Sequence, residues 1–586
     1  MTKQKRAIIT IDCETDPFKR GRVPVPFMWG AYDGERYRRF DDAESLVRWL
    51  AGQHCIVYAH NGGKFDYAFF WHLLEPYSEL LIINGRIARF TIGEAEFRDS
   101  WNIFPMALKH YRKDVIELWK LEPEHRAAHD AEIERYNRTD CVALHEIVVT
   151  FQRDYGNGLT LAGAALKYWS KQFSHDIPIS DAAFYDVHKA WYCGGRVQCF
   201  TKGRIREPFH VVDIASAYPY AMTHDHPIAT VSQERAWKAG TEIDPRGFYK
   251  LTGISRGALP WRERCEDEET GAVTWGAMQF FCDDVARDYH ATGWELQAAI
   301  DTGRLTSYTI HSVTEIGVVE NFRDYVEHFF QLKARAADGS PERLFAKLML
   351  NSLYGKFGAN PQEYETYGIV PPERISATEA DPTVSLGRHH GPWTWAGTVG
   401  PHALLAGRDP VTDAGNPVDS DFYNVATAAS ITGFVRAYLL RHLDAIERLG
   451  GTVYYCDTDS IAYSLPGDQD SHPFRFGKAL GEWTKEGRFD HGAIAGKKLY
   501  AFHMDAETLA KARAKNPEAK EWKTASKGVK LSADQICAVA DGGEVQWDDD
   551  APQVTPFRMV DEKTMAYFNE HGRLPARFLS RRVRMT

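Results

Sequence analysis

Three carboxylates are spaced as chemistry at a phosphate requires. Asp457 and Asp459 lie two apart in Tyr455-Cys456-Asp457-Thr458-Asp459-Ser460, and Asp213 opens Asp213-Ile214-Ala215-Ser216-Ala217-Tyr218-Pro219. Two divalent cations about 4 Å apart clamp the attacking and leaving oxygens of an in-line displacement. Cations of the magnesium type take oxygen ligands and keep several waters, so two or three carboxylates suffice. Between the acids stands a basic segment, Lys347-Leu348-Met349-Leu350-Asn351-Ser352-Leu353-Tyr354-Gly355. Lys347, Asn351 and Tyr354 fall on one face of a helix, and Arg343 extends that face by a turn. A lysine holds a triphosphate as a point charge, and a tyrosine stacks on a base.

The elements that must position these groups are legible around them. Gly451 to Tyr455 is β-branched and aromatic after a Gly-Gly turn, and Ser460 to Leu465 alternates again. This predicts a hairpin with Asp457 and Asp459 at its tip. His210-Val211-Val212 predicts a strand that ends at Asp213. No Gly or Pro interrupts Glu342 to Tyr354, which predicts a helix packed through Leu344, Leu348 and Leu350 and stopped at Gly355. Asp-Thr-Asp alone is more often a plain turn, and a lone lysine a solvated stripe. Three such segments in one order weigh against both.

A second set of acids occupies the N-terminal third. Ala7 to Ile11 reads as a buried strand that delivers Asp12 and Glu14 on one face. Asp66 closes Asn61-Gly62-Gly63-Lys64-Phe65-Asp66, after the apolar run Ile56-Val57-Tyr58. Tyr136 and Asp140 lie four apart in a predicted helix from Asp130 to Thr150. Four acids and a tyrosine around two metals suit hydrolysis of a phosphodiester, with Tyr136 orienting the attacking water.

The first three segments resemble motifs A, B and C of family B DNA polymerases. "KLMLNSLYGKF" with "YCDTDS" is similar to the protein-primed phage subgroup. "DCETDPFK", "YAHNGGKFD", "YNVATAASITG" and "AGKKLYA" resemble the tectivirus type most, from about residue 8 to residue 531. The N-terminal set resembles the DEDD-type 3′–5′ exonuclease in its tyrosine variant. The resemblance implies two Mg²⁺ per site, with Mn²⁺ as a substitute, held by Asp213, Asp457 and Asp459 and by Asp12, Glu14, Asp66 and Asp140. It implies that Tyr218 is the steric gate against ribonucleotides. Lys347 and Tyr354, with Lys333, Arg343 and Asn351, would hold the incoming nucleotide. Asn61, Phe65 and Ser100 match single-strand ligands, although Trp101 stands where the family usually has Leu. Tyr192, Gly194 and Gly195 match the Tyr-x-Gly-Gly element that passes the primer end between sites. Lys498 and Tyr500 match the Lys-x-Tyr element at the primer terminus.

Composition suits a large enzyme. The 586 residues are 44% hydrophobic, enough for more than one core, and 70 basic against 80 acidic residues give a net charge of −10. DNA affinity must then come from local clusters. Candidates are Lys497/Lys498, Lys523/Lys527/Lys530, Lys333/Arg343/Lys347 and the C-terminal Arg577, Arg581, Arg582 and Arg584. Nine cysteines without a Cys-x-x-Cys pair predict reduced thiols and no zinc module. No apolar run of about 20 residues appears, so the expectation is no membrane partner and a cytoplasmic location, the host's if the chain is viral.

The expected fold is α/β and α+β multidomain: an RNase H-like DEDD exonuclease and a right-hand polymerase of palm, fingers and thumb with two insertions. By spacing, residues 1–152 are the exonuclease, 153–223 and 424–529 the palm, 323–358 the fingers and 530–586 the thumb. The resemblance implies that residues 224–322 are insertion 1, which docks a priming protein, and that 359–423 are insertion 2, for processivity and strand displacement. The expected function is a DNA-directed DNA polymerase with proofreading that starts from a terminal-protein primer. Its partners are primer-template DNA, single-stranded 3′ ends, dNTPs, the terminal protein and a single-stranded-DNA-binding protein. Two alternatives stay open: a family B enzyme that uses nucleic-acid primers or none, and a catalytically decayed nucleic-acid-binding protein. Deoxynucleotidylation of a protein hydroxyl discriminates the first, and metal-dependent dNTP incorporation the second.

Overall fold

The computed structural model describes residues 6–18, 24–112, 115–173, 179–266, 273–360, 365–381, 383–386, 389–390, 392–408, 423–468, 472–548, 567, 570–571 and 580–585. Arg577, most of the predicted thumb beyond residue 548 and much of the Gly387 to Pro417 stretch lie outside these residues.

The N-terminal region is built on seven strands: β1 (Ala7–Thr15), β2 (Pro26–Tyr32), β3 (Tyr37–Phe40), β4 (Cys55–Ala59), β5 (Glu79–Ile83), β6 (Arg86–Ile92) and β7 (Ala95–Asp99). β1 pairs with β4 in parallel and with β2 antiparallel, which buries it on both edges. The strand extends through Thr15, past its apolar run, so Asp12 and Glu14 are carried inside the sheet rather than just past it. Helix α1 (Asp130–Tyr155) covers β1, and the Thr10 hydroxyl donates to Cys141 O at 2.7 Å. Ile133, Asn137, Cys141, Leu144, Val148 and Phe151 are buried along α1 at spacings of three and four, a single inward stripe.

A second sheet holds β8 (Val197–Cys199) and β9 (Phe209–Ile214). After β9 the chain forms a four-stranded sheet of β10 (Ser232–Ala236), β11 (Phe248–Ile254), β12 (Arg287–Thr292) and β13 (Thr306–Ile316), in the order β10-β13-β11-β12. Helix α2 (Gly293–Asp301) starts from a complete capping box of Thr292 and Glu295. The long gap after Asp213 therefore does hold its own folded unit.

Two helices follow, α3 (Arg323–Arg335) and α4 (Pro341–Phe357). Ser340 caps α4 and Pro341 fills its first turn. The helix does not stop at Gly355. Phe357, fully buried in the central core, carries it two residues further, and Gly358 ends it where a Cβ would lie 2.4 Å from the Tyr192 ring. Phe345 of α4 also packs on Phe151 of α1, ring centroids 5.3 Å apart, so the N-terminal region and the α3–α4 pair share one core.

The next strands, β14 (Glu365–Val370), β15 (Trp393–Val399) and β16 (His402–Arg408), join the first sheet. β14 pairs antiparallel with β5, giving a ten-stranded order β15-β16-β14-β5-β6-β7-β4-β1-β2-β3. Helix α5 (Val425–Arg448) then returns the chain to the second sheet. There β17 (Thr452–Asp457) and β18 (Ser460–Ser464) form the predicted hairpin, followed by β19 (Trp483–Gly496), β20 (Leu499–Met504) and β21 (Trp522–Ser526). The order is β21-β20-β19-β9-β18-β17-β8, with Gly203–Ile205 added against β19. Helix α6 (Ala533–Ala540) closes the back of this sheet, Ile536 and Val539 packing over Ala493 and Ala501. All nine cysteines are free thiols. Among the described residues no helix is long and apolar enough to cross a membrane.

Candidate active sites

β9 lies between β18 and β19, which sets Asp213 opposite Ser460 on one side and Thr484 on the other. The turn at the β17–β18 tip is tight: Asp459 N donates to Asp457 O at 2.7 Å, and Thr458 takes a left-handed φ of 63°. Asp459 O in turn accepts Ile214 N at 2.8 Å, so the three acids share one small patch of backbone. Burial raises the Asp213 carboxyl to about 7, with Asp459 and Glu486 adding and Lys523 opposing. Burial likewise raises Asp459 to about 6, with Asp457 and Glu486 adding.

Asp457 is held differently. Lys498 Nζ donates to both of its carboxylate oxygens, at 2.7 and 2.6 Å, and Tyr455 OH donates to Oδ2 at 3.3 Å. Lys498 itself sits at φ 56°, where its N–H reaches Tyr455 OH at 3.0 Å. Tyr500 packs on Tyr455 with ring centroids 5.2 Å apart, and Lys527 N donates to Lys498 O at 3.1 Å. The predicted Lys498, Tyr500 and Lys527 are thus gathered beside Asp457.

Tyr218 and Tyr354 are brought face to face above this patch, ring centroids 4.1 Å apart, with Tyr192 beside them. Lys333 and Lys347 are neighbours: burial, then Lys347 and Arg343, hold the Lys333 ammonium below its usual range. Asn351 Nδ2 donates to Lys347 O at 2.8 Å. Arg343 departs from expectation. Its guanidinium donates to Lys333 O and pairs with Asp338 at 3.0 Å, tying off the α3–α4 connection instead of standing free on the face.

Tyr192-Cys193-Gly194-Gly195 runs along the β17–β18 tip. A Cβ on Gly195 would lie 2.7 Å from the Thr458 side chain, whereas Gly194 faces open space. Arg436 of α5, which the sequence did not single out, holds this loop from behind. It donates to Cys193 O and, at 2.7 Å, to Gly194 O, and pairs with Glu295 at 2.7 Å; both side chains are 2% exposed. An arginine flanked by the small residues of the inward face of α5 was the available signal.

The second acid set converges in the N-terminal sheet. Glu14 and Asp66 are buried with half-buried Asp12 beside them, and Tyr136 OH donates to Asp140. Burial pushes Asp12 well above the usual range, with Glu14, Asp66 and Asp140 adding. Burial raises Glu14 to about 8 against an opposing hydrogen bond from Asn137, and raises Asp66 to about 7 against one from Cys13. Asn61 takes a left-handed φ of 66° and accepts Arg86 Nη1 at 2.6 Å; Arg86 also donates to buried Asp99 at 2.7 Å and lies over the Trp101 ring. Phe65 packs edge-on to Phe18 and Phe69. Ser100 is wholly buried, donates to Ala59 O at 3.1 Å and meets His60 Nδ1 at 2.9 Å, bracing the end of β4.

Among the described residues no three His, Cys, Asp or Glu side chains are drawn close enough to cage an ion unaided. Both sets nevertheless fit hard cations: every donor is a carboxylate oxygen, and neighbouring carboxylates push each other upward, a repulsion that a divalent ion with its own waters relieves. A cleft of about 910 Å³ is lined by Gly85, Trp101, Thr160, Ser352, Gly355 and Tyr367 among others.

Comparison with known proteins reads this geometry. Residues 114–381 match the family described as DNA polymerase type B, organellar and viral. The DNA-directed DNA polymerase of Enterobacteria phage PRD1 is 32% identical over 577 residues, which cover 94% of this chain and 96% of that protein. The chain belongs to the type B DNA polymerases. A probable DNA polymerase of Neurospora intermedia is 22% identical over 84% of this chain and 58% of its own length. In fold this type B polymerase matches Phi29 DNA polymerase complexed with single-stranded DNA, with TM-score 0.65 at 16% identity, over 91% of this chain and 95% of that one. The same enzyme in complex with primer-template DNA and incoming nucleotide gives TM-score 0.64 over 94% and 98%. The chain is therefore a DNA-directed DNA polymerase of the phage type B group with a mixed α/β multidomain fold, as the motif reading expects.

Proposed function

We propose that this polymerase replicates a linear genome from a terminal-protein primer and proofreads with its own 3′–5′ exonuclease. The observation that carries the reading is the presence of two complete carboxylate sets on two different sheets, each with separate buried support. Asp213, Asp457 and Asp459 form the synthetic centre in this reading. Asp12, Glu14, Asp66, Tyr136 and Asp140 form the degradative one, with Asn61 and Phe65 receiving the frayed strand. Divalent metal bound at the acids supplies charge neutralisation for the oxygens of the displacement. Lys347 and Lys333 grip the triphosphate, Tyr218 and Tyr354 bound the sugar and base, and Lys498 with Tyr500 steadies the primer end. Tyr192, Gly194 and Gly195 line the way between the centres, where bare glycine backbone admits DNA closely.

The domain assignment goes with it: residues 1–152 exonuclease, 153–223 and 424–529 palm, 323–358 fingers, 530–586 thumb. The β10–β13 unit is the proposed docking place of the priming protein. Strand β14, hydrogen-bonded to β5, gives Glu365, Thr366 and Tyr367 to the lining of the cleft that Trp101 also lines; a single strand drawn through it would be parted from its complement.

Extension of a primed single-stranded circle, with Mg²⁺, dNTPs and template in large excess, tests the reading. Products longer than the circle fit a processive, strand-displacing replicase. Transfer of a labelled dNMP to a protein hydroxyl tests priming, and failure with every candidate protein from the same genome would remove that part.

A further inference from the structure

We infer that Asn137 is the positioning residue that sets how tightly the N-terminal acids bind metal; the inference rests on the exonuclease reading above. Asn137 follows Tyr136 and precedes Asp140 on α1, at full burial in a stripe otherwise made of Ile133, Cys141 and Leu144. Asparagine is a poor residue for a helix interior, and a buried polar side chain is costly unless its hydrogen bonds are made. Here they are. Nδ2 donates to Asp12 Oδ2 at 3.1 Å, to Asp12 O at 3.3 Å and to Glu14 Oε1 at 3.3 Å. Oδ1 accepts Tyr37 OH at 2.9 Å, with the Cys141 thiol at 3.8 Å. The partners fix which way the amide points, because carboxylates call for the NH₂ and the phenol for the oxygen.

The space for this bridge is reserved. A Cβ on Gly30, which pairs with Asp12 across β1 and β2, would stand 1.8 Å from Asn137 Oδ1 and 2.7 Å from the Tyr37 ring. Strands β2 and β3 and helix α1 thus each give one residue to a single amide. A neutral double donor ties two mutually repelling carboxylates to a common point without adding charge. It leaves their remaining lone pairs to a cation and does not compete with it. The synthetic centre does the opposite: Asp457 is held by the ammonium of Lys498, which a cation must displace. The two centres therefore differ in how ready they are for metal, the N-terminal one being set in advance.

The test is Mn²⁺ binding to the full-length chain by calorimetry, in an Asp457→Asn/Asp459→Asn background that mutes the synthetic centre. Asn137→Leu, of similar volume but without a donor, should need about 10- to 100-fold more Mn²⁺ for half-saturation, the usual effect of losing a hydrogen bond to a metal ligand. Asn137→Thr, with one donor, should fall between. In the otherwise unsubstituted chain, the Mg²⁺ needed for half-maximal degradation of single strands should rise in step while synthesis is unchanged. Gly30→Ala, which displaces the amide without removing it, should act like Asn137→Leu and carries the test if that variant does not fold. Unaltered Mn²⁺ affinity, or equal loss of degradation at every metal concentration, would overturn the inference and leave Asn137 a packing residue. No degradation by the unsubstituted chain would instead remove the exonuclease reading, with Mn²⁺ affinity still judging Asn137.

Discussion

Tyr218 and Tyr354 lie ring on ring, 4.1 Å between centroids and 15° between planes, although 136 positions separate them in the chain (354 − 218). One comes from the short helix Ala217–Met222 after β9 and the other from α4, so the proposed nucleotide wall is complete only when these two elements are together. Tyr218→Val should remove the barrier to a 2′-hydroxyl and raise ribonucleotide use about 10- to 200-fold relative to deoxyribonucleotide, the range for one small group in a close-fitting pocket. Comparison of kcat/KM for the two sugars checks this, and unchanged discrimination would refute the gate.

Asp457→Ala should abolish synthesis and leave degradation of single strands. Asp12→Ala with Asp66→Ala should do the reverse. Primer extension and release of labelled 3′ nucleotides measure the two separately; simultaneous loss of both in folded variants would contradict two independent sites.

Arg436 and Glu295 are a buried pair between the four-stranded sheet's helix and the glycine loop. Arg436→Met alone strands a buried carboxylate and should cost about 3–5 kcal/mol in denaturant unfolding. Arg436→Met with Glu295→Leu should recover much of that. An additive double variant would show that the pair is not coupled.

His226 is fully buried, with Nδ1 at Ser430 Oγ (2.9 Å) and Nε2 at Ala221 O (2.8 Å). Burial pushes its pKa down to about 4 from the ordinary 6.5. The unfolded chain therefore takes up a proton below pH 6.5 that the folded one refuses until about 4. Stability from this site is full above 6.5 and falls by about 3 kcal/mol as pH drops through that window. His226→Gln should flatten this part of the stability–pH curve, read by urea unfolding at pH 4.5 and 7.

The acids were legible because strands advertise themselves: period-two alternation places Asp12 with Glu14, and a Gly-Gly turn frames the Asp457–Asp459 tip. The lysine face of α4 was legible from helical period. What escaped has one cause in common, contact between distant segments. Nothing in the local pattern shows that Arg343 turns to the carbonyl of Lys333, that Ser100 points inward, or that Asn137 reaches β1. Gly355 misled as a helix stop because the burial of Phe357, a tertiary term, outweighs local preference. The placement of β14 against β5 likewise has no local signature.

That last pairing has a consequence for synthesis on the ribosome. Glu79-Leu80-Leu81-Ile82-Ile83 is an apolar strand, and the partner of Leu80 is Tyr367, 287 residues later (367 − 80). At translation speeds of about 5–20 residues per second, its open edge waits roughly 15 to 60 seconds for cover. Such an edge is a template for pairing with another chain. A fragment cut at residue 152 would keep it open for good, so the N-terminal region is expected to aggregate when expressed alone and to stay dispersed only when residues 365–408 are supplied with it.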